Sequence, residues 1–234
     1  MGRRGPKPKS KVKIEWSANF AYAVGLIATD GCLSKDGSRI TFVSKDIEQI
    51  YNFLRCLDIS VAIGTTKSGY NGNIAWRLQF CDGNFHFFLR SIGIHPTKSK
   101  TIGEIAISEK YFFDFLRGCF DGDGTVYSYW DKRWKSSFMY YLEFASASRE
   151  YVYWLRSKIT DLAGVLGHIT NDGVGKTLQL KYAKRESLLI IKKMYYSTEI
   201  VCLSRKRLKI ERILSIVGKQ SNKAVAFDNH ARVL

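Results

Sequence analysis

The chain has 234 residues, and its 37 lysines and arginines outnumber its 21 aspartates and glutamates, which gives a formal net charge of +16. Hydrophobic residues make up 45 % and aromatic residues 14 %, a composition that excludes a disordered or low-complexity protein. No apolar run approaches the roughly 18 residues of a membrane-spanning helix. A charge of this size predicts a polyanionic partner, with nucleic acid as the first candidate and an anionic membrane surface as a weaker one.

The basic run 205–212 is too short and too charged for a membrane-bound amphipathic helix, so we expect no membrane partner. The five cysteines form no C-x-x-C pair and are odd in number, which argues against a zinc site or a disulfide framework. We therefore expect a reducing intracellular compartment, either an organelle or a bacterial or archaeal cytoplasm.

The N-terminus is the most basic part of the chain. Its first 13 residues carry six lysines or arginines and no acid, and Pro6 and Pro8 disfavour a helix there. We expect residues 1–16 to form a mobile basic arm that contacts phosphates or lies in a minor groove. A solubilising tail that contacts nothing is the alternative.

Hydrophobic periodicity predicts an α+β protein whose two halves repeat the order αββαββα. In the first half, Ser17 is the expected N-cap of a helix that stops at Gly31. A hairpin over 32–44, a helix over 45–57, strands over 60–67 and 74–81 and a helix over 84–92 follow. The second half repeats these elements over 109–122, 125–130, 137–146, 149–163, 165–171, 176–182 and 184–195. A basic helix over 204–217 closes the second half.

A sequence repeat supports the same division. Residues 23–31 (AVGLIATDG) and residues 116–124 (LRGCFDGDG) share a Gly at the third position and a terminal Asp-Gly. Two further segment pairs recur in the same order, 42–48 with 144–150 and 76–80 with 178–182. The predicted units are an arm over 1–16, a first repeat over 17–108, a second repeat over 109–218 and an irregular tail over 219–234.

Each repeated motif places a carboxylate, Asp30 or Asp123, at the end of a helix, where the partial negative charge of the helix dipole is unfavourable to it. A bound divalent cation would reverse that effect. Gly25 and Gly118 permit close approach of the two helices, so we expect the two acids to meet. With the carbonyl oxygens of Thr29 and Gly122 they form a candidate Mg²⁺ site suited to phosphodiester hydrolysis.

The motif 116–124 is close to the consensus of the LAGLIDADG homing endonucleases, and the chain resembles their single-chain form with two motif copies over about residues 17–217. The first copy departs from the consensus at Ala28, where the family has Asp. The resemblance implies a monomer with two pseudo-symmetric αββαββα repeats whose antiparallel sheets form a saddle over duplex DNA. It also implies a double-strand break with 3′ overhangs and homing of a host intron.

The resemblance further implies two or three divalent ions shared between the motifs, with Mn²⁺ substituting for Mg²⁺ and Ca²⁺ binding without supporting cleavage. Polar residues of the family near these ions correspond here to Asp46 and Ser148. A family lysine that orders the water network corresponds to Lys98 in the first half, whereas the second half offers Lys206 or Arg205. Phosphate contact or a solvated helix face is the alternative role for these basic residues.

Strand alternation separates core positions from candidate DNA contacts. If Ile40, Phe42, Leu78 and Phe80 pack on the helices, their neighbours point towards the DNA. A register slip of one residue would invert this assignment. The candidate DNA-contacting residues are Ser34, Arg39, Thr41, Val43, Lys67, Arg77, Gln79, Tyr127, Tyr129, Lys135, Tyr141, Glu143, Gln179 and Lys181.

Two other functions fit the same scaffold. An RNA-binding maturase that binds its host intron RNA needs the basic surface but not both carboxylates, so retention of Asp30 and Asp123 favours DNA cleavage without excluding a dual role. A transcription factor with a degenerate nuclease domain would be expected to contain a helix-turn-helix and to lose the acids, and the sequence shows neither feature.

Overall fold

A computed structural model describes residues 10–67, 72–171 and 177–231. The first half contains α1 (Ala18–Asp30), β1 (Gly31–Leu33), β2 (Arg39–Ser44), α2 (Ile47–Leu57), β3 (Ile63–Lys67), β4 (Ile74–Cys81) and α3 (Gly83–Ser91). The second half contains α4 (Phe112–Asp123), β5 (Thr125–Trp130), β6 (Phe138–Ser146), α5 (Arg149–Ala163), β7 (His168–Asn171), β8 (Leu178–Ala183) and α6 (Lys184–Met194). A last helix, α7 (Ser204–Ala231), follows, and short 3₁₀ turns lie at Lys98–Lys100 and Glu109–Tyr111.

The two halves have the same architecture, which confirms the predicted α+β fold with two αββαββα repeats. Each half contains a four-stranded antiparallel sheet, in the order β1-β2-β4-β3 in the first and β5-β6-β8-β7 in the second. Local signals in the sequence set several boundaries. The hydroxyl of Ser17 accepts the Phe20 amide at 3.1 Å and so caps α1, and α5 ends at Gly164, whose φ of 67° is left-handed.

One face of each sheet packs on the helices and forms the core. Ile40, Phe42 and Leu78 are fully buried, as are Leu142 and Leu180 in the second sheet. Thr41 pairs with Gln79 and Val43 with Arg77 on the opposite side, which we call the open face of the sheet. The predicted division between core and open positions on β2 and β4 is therefore confirmed.

Helices α1 and α4 contact each other directly and join the two halves. A Cβ atom built on Gly118 would overlap the carbonyl oxygen of Tyr22 and lie 3.0 Å from the Cα of Gly25. A Cβ on Gly25 would overlap the carbonyl oxygen of Phe115. Only a residue without a side chain permits this separation of the helix backbones, because any larger residue would push them apart.

Both chain ends differ from the prediction within the described residues. Residues 10–16 do not belong to a free arm, because the amides of Lys11 and Val12 donate to the Asp82 carboxylate at 2.6 and 2.9 Å and Val12 is buried. Residues 1–9 lie outside the described ranges. The C-terminal segment is helical to Ala231 rather than irregular, since a single glycine at position 218 costs a helix only about 1 kcal/mol and no proline follows it. Residues 232–234 lie outside the description.

Among the described residues, no helix combines the length and the apolar character needed to cross a bilayer.

The glycine contact between α1 and α4 can be tested by substitution. We expect Gly118→Ala to lower the free energy of unfolding by at least about 2 kcal/mol, because the added Cβ collides with backbone that cannot move independently. Gly218→Ala is the matched control: a Cβ there meets nothing within 4 Å, so the change should stabilise α7 by about 0.5–1 kcal/mol. Urea denaturation measures both, and equal effects of the two substitutions would contradict the account.

Candidate functional site

The glycine-mediated helix contact brings the two motif aspartates together. Asp30 is the last residue of α1 and Asp123 the last residue of α4. A Cβ built on Gly122 would overlap the Thr29 hydroxyl and lie 3.0 Å from the Asp30 Oδ2, so the Asp30 carboxylate rests against the end of α4. Asp30 and Asp123 therefore lie at adjoining helix ends, one from each repeat, close enough for the charge of Asp123 to raise the pKa of Asp30.

Electrostatics at this point disfavour two negative charges. Burial, reinforced by the nearby Asp123 carboxylate, raises the pKa of Asp30 to about 7. Burial also raises the pKa of Asp123, while the ammonium groups of Lys98 and Lys206 oppose the rise for both acids. Both helix ends add further partial negative charge. A divalent cation would stabilise the ionised form of both carboxylates.

The oxygen atoms available here suit a hard cation. The carbonyl of Thr29 accepts from Lys98 and that of Gly122 accepts from Lys206, which leaves each oxygen one further lone pair. Within the described ranges no three His, Cys, Asp or Glu side chains converge on one point. A cation would thus bind to Asp30 and Asp123, with water, carbonyl or ligand phosphate oxygens completing its shell, as Mg²⁺ sites commonly do.

Two lysines hold equivalent places on either side of the acids. The Nζ of Lys98 donates to the carbonyls of Thr29 and Gly31, at 3.1 and 2.6 Å. The Nζ of Lys206 donates to the corresponding carbonyls of the second motif, Gly122 at 3.2 Å and Gly124 at 2.6 Å, and to Phe120. Both lysines are buried, and burial lowers the pKa of Lys206 to about 8 and also lowers that of Lys98.

This geometry distinguishes Lys206 from Arg205, a choice that the sequence left open. Arg205 turns away from the motif carbonyls and forms an ion pair with Asp46, with an Nη2–Oδ2 distance of 2.8 Å. Lys206 is therefore the counterpart of Lys98. Asp46 borders the same region as Asp30, but its carboxylate is engaged by the guanidinium.

Ser148 occupies a different environment from the one expected of it. It precedes the first turn of α5, its side chain is buried, and its hydroxyl donates to the carbonyl of Ile102. The hydroxyl therefore holds the linker between the repeats and is not directed towards the acids. Our expectation that Ser148 borders the cations is not supported by this placement.

Two clefts open beside the paired acids, one on each side. We call them the Asp30 cleft and the Asp123 cleft. The Asp30 cleft is lined by Asp30, Asp46, Gln49, Asp121, Gly122 and Arg205, with Val43 and Ala75 from the open face of the first sheet. The Asp123 cleft is lined by Asp123, Thr29, Lys98 and Ser99, with Ala145 and Thr177 from the second half. The acids therefore border the open faces of both sheets.

Most of the candidate DNA contacts lie on these open faces. In the second sheet, Tyr127 stacks on Tyr141 at a centroid distance of 5.1 Å, and Tyr129 also stacks on Tyr141, at 6.1 Å. Glu143 pairs with Lys181 at 3.6 Å and is only 8 % exposed. The candidates placed on an open face are Arg39, Thr41, Val43, Arg77, Gln79, Tyr127, Tyr129, Tyr141, Glu143, Gln179 and Lys181.

Three other candidates lie elsewhere. Ser34 is in the β1–β2 turn, where its hydroxyl contacts Asp36 and the backbone of Arg39, and Lys135 is in the exposed β5–β6 turn. Lys67 pairs with Ile74 and has the same strand parity as Ile63, which places it on the helix-packed side of β3. Lys67 nevertheless borders the Asp30 cleft, so its predicted contact with DNA stays a prediction.

Sequence reasoning missed Asp121 and its partner Tyr22. The Asp121 carboxylate is buried and accepts the hydroxyl of Tyr22 at 2.7 Å across the interface between the repeats. The only available signal was the mismatch between Asp121 and its first-motif counterpart, Ala28. Tyr22 gave no signal, because its contact depends on the packing of two distant helices.

Comparison with known proteins shows a shared fold. No protein-family model matches the sequence, and no curated protein matches it. Among solved structures, the LAGLIDADG homing endonuclease I-GzeII in complex with its DNA target aligns with a TM-score of 0.61 at 12 % identity, covering 88 % of this chain and 92 % of that one. I-WcaI bound to its DNA recognition sequence aligns with a TM-score of 0.58 at 15 % identity, covering 89 % and 94 %.

A protein that is not named as a homing endonuclease has the same fold. Full-length DUF199/WhiA from Thermatoga maritima aligns with a TM-score of 0.55 at 16 % identity, covering 96 % of this chain and 70 % of that one. The chain therefore has the LAGLIDADG fold, in the arrangement of two repeats. Because homing endonucleases and WhiA share this fold, an activity has to be argued from the residues of the site.

The raised pKa of Asp30 has a consequence for stability. Between pH 4 and 7 the folded chain retains a proton that the unfolded chain has lost, so the folded state loses stability as the pH rises through this window. Asp30→Asn removes the titration. In EDTA, we expect the variant to be more stable than the wild type at pH 8, with a smaller advantage at pH 5. Urea denaturation at the two pH values measures the free energy of unfolding of both proteins, and Asp161→Asn, at an exposed position, is the control. An advantage independent of pH would contradict it.

Proposed function

We propose that this protein is a divalent-cation-dependent DNA endonuclease that cuts both strands of a long, asymmetric duplex site. The observation that carries the proposal is the pairing of Asp30 and Asp123 beneath two open sheet faces. Burial disfavours the ionised form of two adjoining carboxylates. The fold therefore bears an electrostatic cost that a bound cation would remove. A protein that only bound DNA would gain nothing from this arrangement.

The open faces supply the surface for the duplex. Arg39, Arg77 and Gln79 project from the first sheet, and Gln179 and Lys181 from the second. Arginine and glutamine can read guanine and adenine edges, and the cationic groups also bind phosphates. A net charge of +16 adds long-range attraction. The two sheets differ in their side chains, so the site they bind is expected to be asymmetric.

The residues around the acids have complementary roles in hydrolysis. Asp30 and Asp123 would hold Mg²⁺, with Mn²⁺ able to replace it and Ca²⁺ binding without supporting cleavage. When bound, the cation lowers the pKa of its water and neutralises charge on the phosphate. Lys98 and Lys206 keep the motif carbonyls in place and present cationic charge next to each carboxylate. Each cleft would receive one scissile phosphate, giving a double-strand break with 3′ overhangs that promotes homing of a host intron.

A second candidate is a maturase that binds its host intron RNA. The stacked tyrosines Tyr127, Tyr141 and Tyr129 favour it, because exposed aromatic rings next to basic residues bind unpaired bases. This function does not need two carboxylates. Structured RNA that binds more tightly than any duplex, with no DNA cleavage in Mg²⁺ or Mn²⁺, would favour this candidate.

Substitution of either acid tests the proposed cleavage. We expect Asp30→Asn and Asp123→Asn to slow double-strand cleavage of a duplex selected from a library by at least about 10²-fold, because each removes a ligand of the cation. Binding to the same duplex in Ca²⁺ should change only a few-fold. Asp161→Asn, an exposed position on α5, is the control. Undiminished cleavage by either variant would remove that residue from the site.

The salt dependence of binding tests the DNA surface. In a plot of log Kd against log salt concentration, the slope should fall by about 0.9 for each phosphate contact that is removed. Arg39→Gln and Arg77→Gln should each reduce the slope if these residues contact phosphate. If either residue reads a base instead, its substitution should leave the slope unchanged and relax sequence preference. Lys192 belongs to α6, on the helix-packed side of the second sheet. Lys192→Gln should therefore change neither the slope nor the sequence preference. Unchanged slope and preference for both arginine variants would contradict the assignment of the open face.

A further inference from the structure

We propose that Asp121 is a positioning residue for Lys206, and that it thereby controls cleavage of one DNA strand but not of the other. The inference rests on the proposed nuclease function. Asp121 is neither of the two acids assigned to the cation. The residue is 1 % exposed, and its carboxylate accepts hydrogen bonds from Tyr22 and Leu203.

One oxygen of Asp121 joins three parts of the chain. The Oδ2 atom accepts the hydroxyl of Tyr22, on α1 of the first repeat, at 2.7 Å. The same oxygen accepts the backbone amide of Leu203, just before α7, at 2.7 Å. Hydrogen bonds to a buried carboxylate are worth more than neutral ones, so loss of this acceptor leaves two buried donors unpaired. Asp121 thus ties the start of α7 to the interface between the repeats.

The hydrogen bond between Leu203 and Asp121 holds the backbone that carries Lys206. The carbonyl of Leu203 accepts the amides of Lys206 and Arg207 at 3.0 and 3.1 Å, which forms the first turn of α7. Lys206 then extends its Nζ back to the carbonyls of Gly122 and Gly124. A lysine side chain is flexible, so the position of its ammonium depends on where its backbone is held. Asp121 fixes that backbone through Leu203.

The first repeat positions its lysine differently. The residue that corresponds to Asp121 is Ala28, whose side chain cannot accept a hydrogen bond. Lys98 instead lies in a 3₁₀ turn that follows Thr97, whose φ of 60° is left-handed, and the Lys98 carbonyl accepts the amide of Ile102 at 2.8 Å. Lys98 therefore keeps its position without a buried acid. Loss of Asp121 should disturb only one of the two lysines.

The two lysines lie on different sides of the acids. Lys98 lines the Asp123 cleft. Lys206 lies beside Arg205 and Gly122, which also line the Asp30 cleft. If each cleft hydrolyses one strand, a displaced Lys206 should slow the strand in the Asp30 cleft and spare the other. A strand-specific defect is a result that general destabilisation of the fold would not produce.

The experiment follows each strand separately. A duplex carrying the target site is labelled differently on its two strands, and cleavage in Mg²⁺ is measured under single-turnover conditions, with a supercoiled plasmid as a second substrate. We expect Asp121→Ala to slow one strand by about 10²-fold, the effect of a misplaced group of about 1 Å, and to change the other by less than about threefold. Nicked plasmid should then accumulate.

Two matched variants isolate the positioning role. Asp121→Asn keeps an oxygen that can accept both hydrogen bonds, so the strand-specific defect should be much smaller than that of Asp121→Ala. Tyr22→Phe removes one donor but leaves the bond from Leu203, so it should lower stability without slowing one strand selectively. If Asp121→Ala does not fold, Asp121→Ser provides the same test, because its shorter side chain falls short of the Leu203 amide.

Three results would overturn the inference: equal slowing of both strands in Asp121→Ala, no slowing of either, or an Asp121→Asn defect as large as that of Asp121→Ala. Failure of the proposed function gives a different result, since the wild-type protein would then leave both strands intact in Mg²⁺ and in Mn²⁺.

Discussion

The close contact between α1 and α4 joins the two repeats and determines where the ends of these helices meet. Gly25 and Gly118 have no side chains to separate the two backbones. Each helix therefore packs directly against backbone carbonyl groups of the other. The same contact continues to the helix ends, where Gly122 leaves room for Thr29 and Asp30. The junction between the repeats and the meeting of the two motif ends are therefore consequences of one packing geometry.

This geometry carries an electrostatic cost. Two carboxylates at adjoining helix C-termini are partly desolvated, and the pKa of Asp30 rises to about 7 in response. Lys98 and Lys206 offset part of that cost, but their ammonium groups are committed to backbone carbonyls and do not bond either acid. The molecule thus keeps two acids close together without pairing them directly. A divalent cation would complete the site, and this connects the packing of the helices to the proposed cleavage.

The sequence predicted the repeat, the sheet faces and the paired acids, because a duplicated motif assigns equivalent positions without any knowledge of contacts. It could not choose between Arg205 and Lys206, since that choice depends on which side chain reaches the carbonyls of the second motif and which pairs with Asp46. It also did not predict the contact of the Ser148 hydroxyl or the side of β3 on which Lys67 lies. The hydroxyl of Ser148 is used by the linker at Ile102, and the side of β3 that carries Lys67 is set by pairing with β4. Contacts across long sequence separations leave no periodic signal in the chain.

We propose that Asp30 and Asp123 jointly hold a divalent cation at the helix junction. The most direct measurement is anomalous X-ray scattering from crystals of the protein bound to its duplex and grown with Mn²⁺. If the two acids hold the cation, one or more anomalous peaks should lie between the two carboxylates, each within about 2.5 Å of a carboxylate oxygen. Ordered DNA over the open sheet faces, with no peak at this junction or with peaks at other residues only, would contradict it.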